Sequence, residues 1–274
     1  MNIVHFSDPH IMAEGLLHGV IDTGKTFSAA LKGLSESGKK VDLVVVSGDL
    51  ANSGESEAYE KLYFTLENLV SALGCALLAV PGNHDNRKNF SAVFPGVQNG
   101  ITGRMDQQLE LGDWQFIGLD TLAEGHDYGE MTLSQAEWLE NVLRNSTSRH
   151  SALVMHHPPI DSPTVGMSKI GFRNKDLLSS ALAAGNVRFI LAGHYHHFVF
   201  SDFCGAKVIV ASSTAYQIDP MSPEDFLRGY QGIGFNFMTL TDEGNCHLSQ
   251  VNKSYPLSSP VLDAPIAELG ISIY

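Results

Sequence analysis

Cysteine is scarce in this chain. Its 274 residues include three, Cys75, Cys204 and Cys246. They are far apart, odd in number and without C-x-x-C spacing, which excludes a disulfide framework and a zinc knuckle and marks them as inert core thiols. Basic residues are also few. Lys and Arg number 17 against 30 Asp and Glu, a formal net charge of -13. Long nucleic acid and anionic membranes both reward basic patches, so neither is expected as a partner. No long apolar segment is present, and no basic n-region precedes the strand-like Asn2 to Phe6. A transmembrane helix and a signal peptide are therefore not expected, and the expected location is cytoplasmic. A G-x-x-x-x-G-K-[ST] phosphate loop is missing, which argues against a nucleotide-binding regulator. So is a G-x-S-x-G elbow, which argues against a serine nucleophile.

What remains is ordinary for a globular protein, with 43% hydrophobic and 17% charged residues, and the length suits one large α/β domain or two small ones. Histidine is plentiful at 12. Acidic groups gathered at strand ends would repel an anionic substrate unless cations intervened, and bound divalent metals are the simplest way to invert that local field.

Taken in order, the hydrophobic pattern predicts strands at Asn2 to Phe6, Val41 to Val46 and Ala76 to Val80. Helices lie between them, the second carrying the stripe Tyr59, Leu62, Tyr63, Leu66, Leu69, Val70 and Leu73 and ending at Gly74. This β-α-β-α-β order implies right-handed crossovers and a parallel sheet. Beyond an irregular stretch from Phe94 to Gly103, a hairpin is predicted over Gln107 to Leu111 and Trp114 to Leu119. A helix follows from near Ser134, with Glu137 in the capping-box position. Strands are expected at Ser151 to Met155 and Val187 to Ala192, separated by a long loop (Ile160 to Arg173) and a helix over Leu177 to Ala184. Four more strands follow near Phe198 to Phe203, Lys207 to Ala211, Phe235 to Leu240 and Cys246 to Val251. The expectation is one domain over residues 1–253, two packed sheets flanked by helices. Residues 254–274 look separate, a tail that packs on its own domain or on a partner subunit. Pro256, Pro260 and Pro265 argue against a regular element there before Ile266.

The chemistry-bearing residues fall just after the apolar runs, each next to Gly or Pro. Asp8 and His10 follow the first strand, Asp49 the second, and Asn83, His84 and Asp85 the third. His156 ends a later strand, and His194 and His196 end another. Members of the pairs Asp8/His10 and His194/His196 are two apart, so in extended backbone each pair points one way. Imidazoles, carboxylates and one amide oxygen suit borderline divalent ions such as Fe, Mn, Zn or Co, and the lack of cysteine excludes a thiolate site. Asp49, from a middle position, is placed to bridge two ions. Any one of these stretches also fits a polar turn. It is their joint, ordered occurrence that argues for a site.

With D-x-H at Asp8-Pro9-His10, G-D at Gly48-Asp49, G-N-H-D at Gly82-Asn83-His84-Asp85, His156, and G-H-x-H at Gly193-His194-Tyr195-His196, the chain resembles the calcineurin-like metallophosphoesterases. The resemblance runs from about residue 1 to 253. Ser47 to Asn52, His156 to Pro159, Gly193 to His197 and Ser213 to Gln217 make it most similar to the class III cyclic-nucleotide phosphodiesterase branch, which includes glycerophosphodiester hydrolases. That resemblance implies the metallophosphatase fold, a four-layer α-β-β-α sandwich of two mixed sheets. It implies one divalent ion on Asp8, His10, Asp49 and His196 and a second on Asp49, Asn83, His156 and His194. It implies hydrolysis by a metal-bridging hydroxide, with His84 stabilising a phosphoryl oxygen or protonating the leaving alkoxide, Asp85 orienting His84, and Asn52 at a phosphate oxygen or in the water network. The leading expectation is a phosphodiesterase acting on a small substrate such as 3',5'-cyclic AMP. The alternatives are a glycerophosphodiesterase, a broad diesterase and monoesterase, and a non-catalytic metal-binding scaffold, which would have no need of His84. Relatives of this kind often form homodimers, and the sequence leaves the oligomeric state open. Of the remaining histidines, His157 is read as structural, His5 as a satisfied core residue, and His197 as pointing away from the site.

Overall fold

The computed structural model describes residues 1–94, 101–224, 226–254 and 260–269. The chain opens with β1 (Asn2–Phe6), α1 (Thr23–Glu36), β2 (Leu43–Ser47), α2 (Ser56–Leu73) and β3 (Ala76–Val80). The three strands lie parallel in the order β1-β2-β3. β2, Leu-Val-Val-Val-Ser, is buried at every position, as a strand covered on both faces must be. α2 buries Tyr59, Leu62, Leu66 and Leu69 on one face and stops at Gly74, whose left-handed φ of 63° closes the helix. Each fully buried leucine of that stripe contributes about 1.5–3 kcal/mol. A short helix not foreseen from the hydrophobic pattern, α3 (Arg87–Val93), follows β3. Asn86 caps it by accepting from the Asn89 amide.

The second half comprises β4 (Gln107–Leu111), β5 (Trp114–Leu119), α4 (Leu133–Arg144), β6 (His150–Met155), α5 (Val165–Lys169), α6 (Lys175–Leu182), β7 (Val187–Ala192), β8 (Val199–Phe203), β9 (Ala206–Val210), β10 (Tyr216–Ile218), β11 (Phe226–Leu240), β12 (Cys246–Ser254) and β13 (Leu262–Pro265). Besides α5, inside the expected loop, and the unexpected β10, three details differ from expectation. α4 is capped by Thr132 with Gln135 closing the box, not by Ser134 with Glu137. Gln135 is fully buried and also donates to Asp106 and to the Asp120 carbonyl, so tertiary bonds set that start. β11 begins at Phe226 rather than Phe235. Its glycines hide the alternation, and a Cβ at Gly234 would lie 2.4 Å from Ser212 Cβ. The tail forms β13, which ends on Pro265 and pairs with Phe226 to Gly229 of β11. A proline at a strand end breaks no internal ladder bond. Residues 255–259 and 270–274 of the tail lie outside the described residues.

The strands make two mixed sheets. One has seven strands in the order β10-β11-β1-β2-β3, with β12 and β13 also paired to β11. The other has six, β4-β5-β6-β7-β9-β8. α1 and α2 cover the first sheet through a core that includes Phe6, Phe27, Val44 and Leu62. α4 and α6 cover the second through Leu139, Leu153, Leu178 and Ile190. A third core, with Ile3, Val45, Phe116 and Leu191, fills the space between the sheets. The result is an α-β-β-α sandwich. β1, β2, β3, β6 and β7 all end at one rim of it.

Candidate metal centre

At that rim the backbone is bent hard. Asp8, His10, Asp49, His194 and His196 all have positive φ, between 44° and 71°. For non-glycine residues this left-handed region costs on the order of 1 kcal/mol each and persists where surrounding structure enforces it. The neighbouring glycines make room for the crowding. A Cβ at Gly82 would lie 2.3 Å from Asp49 Oδ1, and one at Gly193 would lie 1.8 Å from Ser7 Oγ. The spacing that looked in sequence like extended D-x-H and H-x-H pairs is therefore achieved by successive left-handed turns.

Five strand ends bring the side chains together. Asp8, His10, Asp49 and His196 are buried, with ligand atoms all within 4.8 Å of one another. His10 Nε2 lies 3.1 Å from His196 Nε2 and 3.5 Å from Asp49 Oδ2, and His196 Nε2 lies 3.4 Å from Asp8 Oδ1. Beside this nest is another. His156 Nε2 is 3.3 Å from Asp49 Oδ2 and 3.1 Å from Asn83 Oδ1, and Asn83 Oδ1 is 3.1 Å from His194 Nδ1. Asp49 Oδ2 is common to both.

The outward-facing nitrogens explain why these rings point as they do. His10 Nδ1 donates to Asn52 Oδ1 at 3.2 Å, His156 Nδ1 to the Ser47 carbonyl at 2.7 Å, His194 Nε2 to the Ile170 carbonyl at 2.9 Å, and His196 Nδ1 to the Tyr216 carbonyl at 3.1 Å. A carbonyl oxygen only accepts, so each ring carries a proton on its outer nitrogen and leaves the inner nitrogen as the one able to bind an ion. Lone pairs facing one another at about 3 Å repel unless a cation lies between them. Ligands about 2.1 Å from an ion stand roughly 3.0–3.4 Å apart, which the measured spacings match. The donor set thus fits divalent ions.

The electrostatics agree. Burial opposes ionisation of Asp49, yet His156, His84 and His10 hold its carboxyl well below the usual range. Burial likewise opposes a charge on His156, but Asp49 and Asp8 push its pKa up to about 9. His10 and His194 are depressed to about 3, mainly by burial. The carboxylates draw positive charge into a pocket where His10 and His194 resist protonation.

His84 is exposed and its Nδ1 donates to the Asn52 carbonyl at 2.7 Å. Partial desolvation works against its charge, but Asp49 and that carbonyl raise its pKa above the ordinary histidine value. One expectation is corrected here. Asp85 does not orient His84. Its carboxylate accepts from the amides of Leu50 and Ala51 at 3.0 Å each and of Gly82 at 2.8 Å, and from Tyr59 Oη at 2.9 Å. It ties the loop after β3 to the loop after β2. Asn52, expected at a phosphate oxygen or in the water network, also positions two imidazoles, His10 through its side chain and His84 through its backbone carbonyl. Asp85→Ala would strand three buried amides at about 1–3 kcal/mol each. The expected result is a Tm lower by about 10 °C or more, read by calorimetry; an orienting role would lower activity at unchanged Tm.

His157 belongs to a buried imidazole cluster with His156 and His194, but both of its nitrogens are engaged, by Thr121 Oγ1 at 2.8 Å and the Asp127 carbonyl at 3.2 Å. His197 is buried, with Nε2 3.4 Å from Ser162 Oγ. His5 is only half satisfied. Nε2 meets Ser47 Oγ at 2.8 Å, while Nδ1 is buried without a partner. The carbonyls of Ser47, Ile170 and Tyr216 were invisible beforehand, because backbone acceptors leave no residue-type signal.

A cavity of about 210 Å³ opens above the nests, lined by Asp49, Asn83, His84, His194 and His196 and by His18 and Tyr216. A two-sheet sandwich with carboxylate and imidazole nests under such a cavity fits a metal-dependent hydrolase. Residues 1–198 match the family described as calcineurin-like phosphoesterase, and the chain belongs to it. It is an enzyme, a metallophosphoesterase. The chain is 33% identical to a cAMP/cGMP dual specificity phosphodiesterase of Mycobacterium tuberculosis, over 84% of this chain and 72% of that protein. It is 31% identical to a probable cyclic nucleotide phosphodiesterase of Rhodococcus erythropolis, over 89% and 81%. A dimetal phosphatase from Danio rerio shares the fold, with a TM-score of 0.65 at 14% identity over 93% of this chain and 99% of that one. No described helix is long and apolar enough to cross a membrane.

Proposed function

We propose that this chain hydrolyses small phosphodiesters, 3',5'-cyclic AMP foremost, with two divalent ions of the Fe, Mn, Zn or Co kind. Asp8, His10, Asp49 and His196 would hold one ion, and Asp49, Asn83, His156 and His194 the other. Two such ions, when bound, lower the pKa of water to supply the nucleophile and neutralise charge on the phosphate. The observation that carries the reading is His84, an exposed imidazole on the cavity that residues of both nests line. With Nδ1 held by the Asn52 carbonyl, Nε2 is the atom that donates a proton to a phosphoryl oxygen or to the departing alkoxide. A non-catalytic metal scaffold would need no such group. Similarity to cyclic nucleotide phosphodiesterases over more than four fifths of the chain supports the substrate class.

The test is a substrate panel with Mn: cyclic AMP, cyclic GMP, glycerophosphodiesters and bis(p-nitrophenyl) phosphate. Cyclic AMP should show the highest kcat/KM. His84→Ala should keep its metal content, lose about 10²–10⁴-fold on alkyl esters such as cyclic AMP, and lose far less on nitrophenyl esters, whose leaving group needs no proton. An unchanged rate on cyclic AMP would remove His84 from the chemistry.

A further inference from the structure

The cavity has two unlike walls. Beside the polar lining of ligand residues, His18, His84 and Asp127 there is an apolar one, and part of it comes from the far end of the chain. Leu262 of β13 and Leu269, just past the 3-10 turn Ile266–Glu268, line the cavity beside Met167, Ile170, Ile218 and Leu227. The last four are at most 5% exposed, whereas Leu262 and Leu269 are half-buried. Leu262 and Leu269 are thus the more exposed of these six apolar lining residues.

That segment is held in place. The Val261 amide donates to the Gly229 carbonyl at 2.8 Å, and Leu262 to Pro265 pair in register with Gly229 to Phe226. Ile266 is buried in the core that covers the second sheet. It sits against α5 at Gly166, where a Cβ would come within 2.7 Å of its Cδ1. The segment is thus anchored on both sides of the cavity it borders.

We infer that residues 262–269 form the specificity wall of the active site, with Leu262 and Leu269 contacting the nucleobase of the substrate. This rests on the phosphodiester reading above. The six apolar side chains offer no hydrogen-bond donor or acceptor, so a polyol ester placed there would lose hydration without replacement. A heteroaromatic ring instead buries apolar surface against them. Tyr216 adds an aromatic edge to the same cavity, its ring 5.0 Å from that of His18. At about 210 Å³ the space suits one compact ester and is smaller than the usual site for a drug-sized ligand.

Binding separates this inference from the reading it rests on. The full-length Mn-loaded protein is titrated calorimetrically with adenosine 5'-monophosphate and with glycerol 3-phosphate. The wild type should bind the nucleotide at least about tenfold more tightly, a difference of about 1.4 kcal/mol. The Leu262→Asn/Leu269→Asn variant should lose that preference with glycerol 3-phosphate binding and metal content unchanged, and Leu262→Met/Leu269→Met should retain it. If the double variant does not fold, Leu269→Asn alone carries the comparison. Equal affinity of the wild type for both ligands, or an equal loss of both in the variant, would overturn the wall. A chain that prefers the nucleotide but hydrolyses no diester refutes the function and leaves the wall standing. One that hydrolyses diesters without the preference refutes only the wall.

Discussion

Asp49→Asn is expected to lower kcat/KM on a phosphodiester by about 10³-fold or more, on the order of 4 kcal/mol of transition-state stabilisation. The reason lies in the two ends of one carboxylate. Oδ1 accepts the His84 amide at 2.9 Å and so fixes the loop that carries Asn83 and His84. Oδ2 faces His10 Nε2 at 3.5 Å and His156 Nε2 at 3.3 Å, one from each nest. Asparagine preserves the shape and the acceptor toward His84 but removes the negative charge that both nests share. The loop should stay in place while both ion sites weaken together. Metal analysis of the purified variant should therefore show loss from both sites, not one. Asn83→Ala makes the contrast, since its amide oxygen contacts only His156 and His194; metal should fall there at one site. Asp49→Asn protein with full metal content and near-normal turnover would show that Asp49 is not shared.

Much of this site was legible because its residues had to follow buried strands. β1, β2 and β3 are short apolar runs broken by Gly or Pro, so the polar groups after them could be assigned to strand ends and hence to one rim. What those groups touch was less legible. Asp85 follows His84 in sequence, and a carboxylate beside an imidazole suggested an orienting pair. In space its acceptors are claimed by Leu50, Ala51, Gly82 and Tyr59, partners that no local pattern could supply. Asn52 was placed at a phosphate oxygen or in the water network by resemblance alone, and nothing in the sequence showed that its amide oxygen holds His10. The C-terminal wall was hidden differently. Prolines at 256, 260 and 265 argued against regular structure, and glycines at 229, 232 and 234 masked the start of β11, so neither partner of the β11–β13 pairing showed itself. Pairings between segments far apart in sequence depend on tertiary fit, which a hydrophobic period does not encode.

Removing the metals should cost stability as well as activity. Asp8 and Asp49 are buried among imidazoles of which two, His10 and His194, resist protonation. Without ions, the two carboxylates draw part of their balancing charge from a proton on His156, whose pKa is raised to about 9. An ion present at about 1,000 times its Kd stabilises the native state by about 4.1 kcal/mol, provided the unfolded chain does not bind it. Two would contribute about twice that, less whatever the His156 proton already recovers. For a chain of this size each kcal/mol moves Tm by about 2–4 °C, so exhaustive chelation should lower Tm by about 10 °C or more, and added Mn should restore it. Asp49→Asn sharpens the test. It already lacks the shared charge, so its Tm should respond much less to the same chelator, and its chelated form should be no less stable than chelated wild type. An equal fall in both proteins would mean that the stabilising ions bind somewhere other than the Asp49 cluster.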